Sequence, residues 1–387
     1  MATMAVFGKI PTRPRSGNRR RVINSPNVFP LEGASSSLKS FPPFAWSPDG
    51  GIVASTFNDP SFRIILWKPT TGEKIATLVL PPNCVGMGFL SPVFSSDGSK
   101  VASAFEKGDQ FAVWSVPDGR SVPDGLPPIF FQPCTPDADG VGAENMAKLS
   151  FGVPGSASNG LMGFASGDFM SVNLQGIEGN NTAVQRINIG PFPPECDGSH
   201  FATDFSFSPT NGNYFVVAFS HLDEAKYCRD VMVFDVKTRA CISIIRPPHS
   251  KSKKATWTPD GLRVLVSWKG PTNTALKSTQ HCMYLWDFTN NEMGVTARVT
   301  ISSRDRFIGW SPTGASYFVL EKANNEVPTT FSVVELATSD NHFVFAGHFL
   351  WTLTPPHRLF PEVSLSPNAR TVALPPCPGF PARIMTF

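Results

Sequence analysis

The tightest constraint on this chain is a unit that recurs along it, clearest from Phe44 to Leu80. Phe44-Ala45-Trp46 is a short apolar run. Ser47-Pro48-Asp49-Gly50 follows, with Pro early and Gly late, which is the chemistry of a tight turn. Ile52 to Phe57 is a second apolar run, broken by Asn58-Asp59-Pro60. Arg63 to Trp67 is a third, Pro69-Thr70-Thr71-Gly72 a second turn, and Lys74 to Leu80 a fourth run. Four short runs with turn signals between them predict one antiparallel sheet. Such a sheet has two apolar faces and cannot bury both alone, so it needs neighbours.

Those neighbours are written into the chain. Further anchors of the first strand-turn pair are Phe94-Ser95-Ser96-Asp97-Gly98 and a weaker one at Leu149 to Gly155. Phe207-Ser208-Pro209-Thr210, Trp257-Thr258-Pro259-Asp260-Gly261, Trp310-Ser311-Pro312-Thr313-Gly314 and Leu365-Ser366-Pro367-Asn368 complete a set of seven. Their spacing is about 48 to 57 residues. Each leads into a second apolar run, as in Val101 to Phe105, Tyr214 to Phe219 and Thr371 to Leu374. Third runs end in an aromatic residue and a turn, as in Phe111 to Trp114, Val231 to Phe234 and Met283 to Trp286. The tryptophans sort with this frame: Trp46, Trp257 and Trp310 end first strands, and Trp67, Trp114 and Trp286 end third strands.

Over residues 26–387 the pattern resembles the WD-repeat β-propeller family. That family ends its third strands in Trp-Asp. Trp286-Asp287 matches in full, and Phe234-Asp235, Trp67-Lys68 and Trp114-Ser115 match in part. The family's Gly-His pair has a counterpart only near Gly347-His348, so most of the Asp–His–Ser–Trp network that the resemblance implies is missing. The expected fold is all-β: a seven-bladed β-propeller of four-stranded antiparallel blades. After the seventh anchor, Thr371 to Leu374 and Arg383 to Phe387 leave the last blade without an outer strand. Val22-Ile23 or Val28-Phe29, near the N-terminus, is expected to supply it and so remove the open edge.

Composition fits this reading and excludes others. With 387 residues and 41% hydrophobic content the chain can build a large core, and its 37 prolines with 16% charged residues suit many turns and no long helices. No apolar run approaches the roughly 18 residues of a membrane span. The N-terminus has no apolar core of the secretory kind. Seven cysteines without a Cys-x-x-Cys pair read as reduced thiols inside a cell, in cytoplasm or nucleus. A net charge of +3 gives no global field that selects nucleic acid. Residues 1–25 read as a separate Arg-rich arm ahead of a single propeller domain at 26–387. In the arm, Arg13, Arg15, Arg19, Arg20 and Arg21 lie among Pro, Gly, Ser and Asn, the make-up of a solvated tail, an import signal or an anionic tether.

Enzyme signatures are missing. There is no Gly-x-Ser-x-Gly, no Gly-rich phosphate loop and no His-Glu-x-x-His, and the seven histidines are dispersed. Asp137-Ala138-Asp139-Gly140 opens like a calcium loop but lacks its spacing, and reads as a solvated acidic loop. No cofactor, metal or catalytic residue is assigned. The connections between second and third strands lengthen at Ser220 to Arg229, Lys269 to Gln280 and Glu321 to Val327. They share one face with the connections between blades, where Lys251, Lys253 and Lys254 are expected to add a basic spot. Loops on a rigid scaffold are where binding usually lives. The expected function is therefore a non-enzymatic scaffold for protein partners, with Tyr227, Arg229, Trp268 and Lys269 as contact residues. Two alternatives stand beside it: a polyanion-associated propeller tethered by the basic arm, and a propeller hydrolase or lyase with a site at the central mouth.

Overall fold

A computed structural model describes residues 27–31, 44–57, 63–80, 92–104, 111–118, 125–132, 149–165, 171–177, 184–188, 200–221, 231–245, 251–273, 278–289, 295–301, 305–310, 316–321, 329–339, 342–353, 364–367, 371–374 and 383–386. Among these, the strands form seven four-stranded antiparallel sheets. Sheet 1 is Phe44–Trp46, Val53–Phe57, Arg63–Lys68 and Glu73–Val79. Sheet 2 is Val93–Phe94, Lys100–Ala104, Phe111–Ser115 and Phe130–Gln132. Sheet 3 is Ser150–Phe151, Leu161–Ala165, Ser171–Gly176 and Val184–Asn188. Sheet 4 is His200–Phe207, Tyr214–His221, Val231–Asp235 and Cys241–Ile245. Sheet 5 is Lys251–Trp257, Val264–Asn273, Ser278–Trp286 and Val295–Ile301. Sheet 6 is Asp305–Trp310, Ser316–Glu321, Thr329–Ser339 and His342–Leu353.

Sheet 7 is built differently. Ser364–Leu365, Thr371–Leu374 and Arg383–Thr386 are completed by Asn27–Pro30, which pairs antiparallel with Arg383–Thr386. Of the two expected closing segments, the chain uses the one containing Val28-Phe29. In every other sheet the strands pair in chain order. First strands of successive sheets touch one another from sheet 1 to sheet 5 and again from sheet 6 through sheet 7 to sheet 1, while sheets 5 and 6 meet through their outer strands. The sheets therefore stand in a ring with first strands innermost.

The core lies between sheets. Ala54, Leu66 and Leu78 of sheet 1 pack on Val101 and Trp114 of sheet 2. Phe111 of sheet 2 meets Phe164 of sheet 3, with ring centroids 5.2 Å apart. Leu174 and Ile187 of sheet 3 face Phe205, Phe215 and Phe234 of sheet 4. Val216 and Val233, on the other face of sheet 4, pack on Trp257 and Trp286 of sheet 5. A Cβ on Gly163 would stand 2.2 Å from the Phe205 ring, so a larger residue there would displace that ring.

The recurring turn has one hydrogen-bond plan. Ile52 N–H donates to Ser47 Oγ at 2.9 Å, Ser47 Oγ donates to Asp49 Oδ1 at 2.5 Å, and Gly51 N–H donates to the same carboxylate oxygen at 2.9 Å. Sheet 2 repeats it with Ser95, Asp97 and the amides of Ser99 and Lys100. Sheet 5 repeats it with Thr258, Asp260 and the amides of Leu262 and Arg263. In sheet 7 the amide of Thr371 bonds Ser366 Oγ at 2.9 Å. The carboxylate occupies the hydroxyl and one turn amide at once, which is why Ser or Thr recurs two residues before Asp.

Closure rests on a short segment. Leu31, just past the closing strand, is 1% exposed and packs with Val53, Ile65, Trp67, Ala373 and Ile384, joining sheets 7 and 1. Gly72, in the second turn of sheet 1, has φ +71, and a Cβ there would stand 2.9 Å from Phe29 Cβ. Glycine is needed for the left-handed backbone and for the approach of the closing strand.

Two predictions follow from these contacts. Leu31→Ala should lower the unfolding free energy by ~2–4 kcal/mol, read from chemical denaturation. An unchanged midpoint and slope would mean that the closing segment does not hold the ring. The second concerns acid. Hydrogen bonds from Ser47 and Gly51 hold the Asp49 carboxyl below its usual value. Burial pulls Asp97 and Asp260 upward, but hydrogen bonds from Ser95 and Thr258 and the neighbouring amides bring both below the usual value. A carboxyl depressed by folding adds stability that is full above its unfolded pKa, about 4, and is lost as pH falls through the folded one. The melting temperature should therefore fall as pH drops below about 4, and less steeply in D49N/D97N/D260N. Equal slopes in both chains would refute this.

Candidate interaction surfaces

In an up-and-down four-stranded sheet, the first-to-second and third-to-fourth turns share one end. The second-to-third connections and the crossings between sheets share the other. The ring therefore has a turn end and a connection end.

The turn end is tied together across sheets. Ala157 N–H of sheet 3 donates to Asn213 Oδ1 of sheet 4 at 3.2 Å. Ser208 Oγ and Thr210 Oγ1 of sheet 4 donate to the carbonyls of Gly261 and Asp260 in sheet 5, at 3.1 and 2.7 Å. Deeper in, the Trp257 indole N–H donates to Ser206 O at 3.0 Å. Asp204, on the first strand of sheet 4, is 2% exposed. Its Oδ2 accepts Ala255 N–H of sheet 5 at 3.2 Å, and its Oδ1 accepts Phe205 N–H at 3.1 Å. This innermost-strand acid is used to join sheets. Among the described residues, no group of three or more His, Cys, Asp or Glu is placed to hold a metal ion.

At the connection end, several expectations need correction. Lys251, Lys253 and Lys254, expected in a connection, lie on the first strand of sheet 5, Lys251–Trp257. The stretch from Lys269 to Gln280, expected as a loop, is mostly strand: the second strand runs on to Asn273 and the third begins at Ser278. Trp268 lies inside that second strand rather than at its end. The second strand of sheet 4 likewise runs to His221. The physical reason is pairing. Thr272 opposes Thr279 and Asn273 opposes Ser278, so a polar stretch that reads as loop gains ladder hydrogen bonds as a two-stranded ribbon past the first strand. Tyr227 and Arg229, the tail arginines Arg13, Arg15, Arg19, Arg20 and Arg21, and the acidic stretch around Asp137 lie outside the described residues. Gly347-His348 falls within the fourth strand of sheet 6 and not ahead of a first strand.

The register brings together residues that the sequence left apart. Lys251 stands directly opposite Lys269, and Lys269 directly opposite His281. Three basic positions thus form one row across three strands of sheet 5, near the connection end. One bulge, between Ser252 and Lys254, lies beside the row, and another, between Lys269 and Thr272, lies at its edge.

One link of the Asp–His–Ser–Trp network that the resemblance implies is present. The Trp67 indole N–H donates to Ser55 Oγ at 2.8 Å inside sheet 1. In sheet 2 the Trp114 indole N–H donates to Val79 O of sheet 1 at 3.2 Å. The tryptophan that ties strands within sheet 1 ties neighbouring sheets at sheet 2. Ser55→Ala should cost ~1 kcal/mol, and a double-mutant cycle with Trp67→Phe should give a coupling energy of similar size. A coupling of zero by denaturant melts would show that the bond contributes nothing.

No protein-family model matches the sequence, and no curated protein matches it. Solved structures do match. The β-propeller domain of Cps50 (Swd1) from Myceliophteria thermophila aligns with a TM-score of 0.57 at 13% identity, over 90% of this chain and 98% of that one. A chain of the mitotic checkpoint complex aligns with a TM-score of 0.58 at 12% identity, over 98% of this chain and 99% of that one. At this identity the likeness establishes the fold alone, and with the sheet order and the N-terminal closure it makes this chain a β-propeller.

Proposed function

We propose that the chain is a non-enzymatic scaffold that docks a protein partner on the connection end of the propeller. The observation that carries this reading is the row Lys251–Lys269–His281. Like charges set directly opposite each other cost a sheet stability. The register of sheet 5 sets two basic positions, Lys251 and Lys269, opposite each other beside the two-stranded ribbon, a placement that an acidic patch on a partner would complement. Tyr227 and Arg229, which fall between the second and third strands of sheet 4 in sequence, belong to the same proposal. One structural relative is part of a protein complex, the mitotic checkpoint complex, which supports scaffolding in general terms. The Arg-rich arm, an intracellular setting and monomeric assembly into a larger complex belong to the same proposal.

The test is affinity purification of the whole chain with nuclease present, beside K251A/K269A and Y227A/R229A. Charge loss at the row should weaken capture of a specific protein about tenfold or more, with far-ultraviolet circular dichroism unchanged. Capture that ignores both double variants would place the partner elsewhere. Partners lost on nuclease treatment would move the row's role to nucleic acid, whose phosphate contacts weaken steeply with salt.

A further inference from the structure

Sheets 5 and 6 are joined differently from the rest of the ring. Elsewhere the first strands of neighbouring sheets touch, whereas these two meet through their outer strands. The walls they turn to each other follow from the register. Trp46, Phe207 and Trp257 each close a first strand, and each packs toward the preceding sheet. Their cross-strand partners Val53, Phe215 and Val264 belong to the same clusters. In sheet 6 the corresponding positions are Trp310 and Tyr317. Their face of sheet 6 is therefore the one turned to sheet 5.

Alternation along the strands then sorts the charged positions at the connection end. In sheet 5, Val264 and Val266 pack on sheet 4, so Lys269 belongs to the opposite face, the one turned to sheet 6. Lys251 and His281 are its direct cross-strand partners and share that face. In sheet 6, Tyr317, Val319 and Glu321 share one face, and Asp305 stands directly opposite Glu321. That is the face turned to sheet 5. The heights agree as well. Lys251 and Asp305 begin the first strands of their sheets, and Glu321 ends the second strand of sheet 6. Two facing walls thus carry like charges in cross-strand register, basic on one and acidic on the other.

Each like pair by itself costs its sheet stability. Set on facing walls, the two pairs offset that cost. We infer that Asp305 and Glu321 are a built-in competitor for the basic row, so that an acidic partner engages Lys251 and Lys269 only by displacing these two acids. The inference rests on the docking reading of that row and adds its regulation: the chain's own acids stand in for the partner's. Charge pairs near a protein surface hold weakly, so a partner can displace them. The partner's apparent affinity is then its intrinsic affinity reduced by the fraction of chains in which the row is open. Weakly acidic segments are turned away and strongly acidic ones accepted, which is specificity through a repulsive element.

The experiment titrates the full chain into a fluorescein-labelled oligoglutamate peptide and reads fluorescence anisotropy. The parent is compared with D305N/E321Q, D305E/E321D, K251A/K269A and the combined K251A/K269A/D305N/E321Q, each checked for folding by circular dichroism. Removing the two acidic charges should tighten binding at least about fivefold in the parent background, and by less than about twofold in the K251A/K269A background. D305E/E321D keeps both charges and should bind as the parent does. Should D305N/E321Q fail to fold, E321Q alone carries the same comparison. A gain of equal size in both backgrounds would reflect net charge rather than competition and would overturn the inference. So would a matching gain in D305E/E321D. Binding lost in K251A/K269A but unmoved by D305N/E321Q would overturn it while leaving the docking reading intact. Binding that ignores K251A/K269A, or no binding even to D305N/E321Q, would overturn both.

Discussion

Every sheet here must bury two apolar faces, and it can do so only against another sheet. The strands alternate between two clusters: Ala54 and Leu66 face sheet 2, while Val53, Ile65 and Trp67 face the seam with sheet 7. Each fully buried side chain of this size is worth about 1.5–3 kcal/mol, and none of it is available to a sheet standing alone. A row of such sheets still ends in two bare faces. Bending the row into a ring removes them, and the seam where the ring closes then carries as much weight as any other interface. Leu31 and the four-residue strand before it meet that requirement with a segment that begins far from sheet 7 in sequence.

The two ends of the ring differ in construction. At the turn end, short loops are saturated by their own Ser, Thr and Asp side chains and linked to the next sheet by Ser208, Thr210 and Asn213. At the connection end, sheet 5 extends a ribbon past its first strand and sets Lys251 against Lys269.

The fold was legible because the code for it is local. A Ser-Pro-Asp-Gly turn states its own geometry, and the sorting of tryptophans to the ends of first and third strands reflects which positions meet a neighbouring sheet. The candidate sites were less legible. Trp268 and Lys269 read as the end of a strand and the start of a loop, because Gly270, Pro271, Thr272 and Asn273 are turn-forming residues. Pairing with Ser278 and Thr279 overrode that preference. The Lys251–Lys269 opposition had no sequence signal, since the two residues belong to different strands and meet only through the register.

By itself the sequence determined what each segment can do: which runs become strands, where Asp and Gly close a turn, and how many sheets the chain can build. Those are properties of residues near one another, and alternation and turn chemistry express them directly. Only the tertiary structure decided which residues stand side by side. It placed Val28-Phe29 rather than Val22-Ile23 on the closing edge and set Lys251 against Lys269. Each of these depends on register and on the neighbouring sheet, and both arise only when the ring closes and buries the faces that no single sheet can cover.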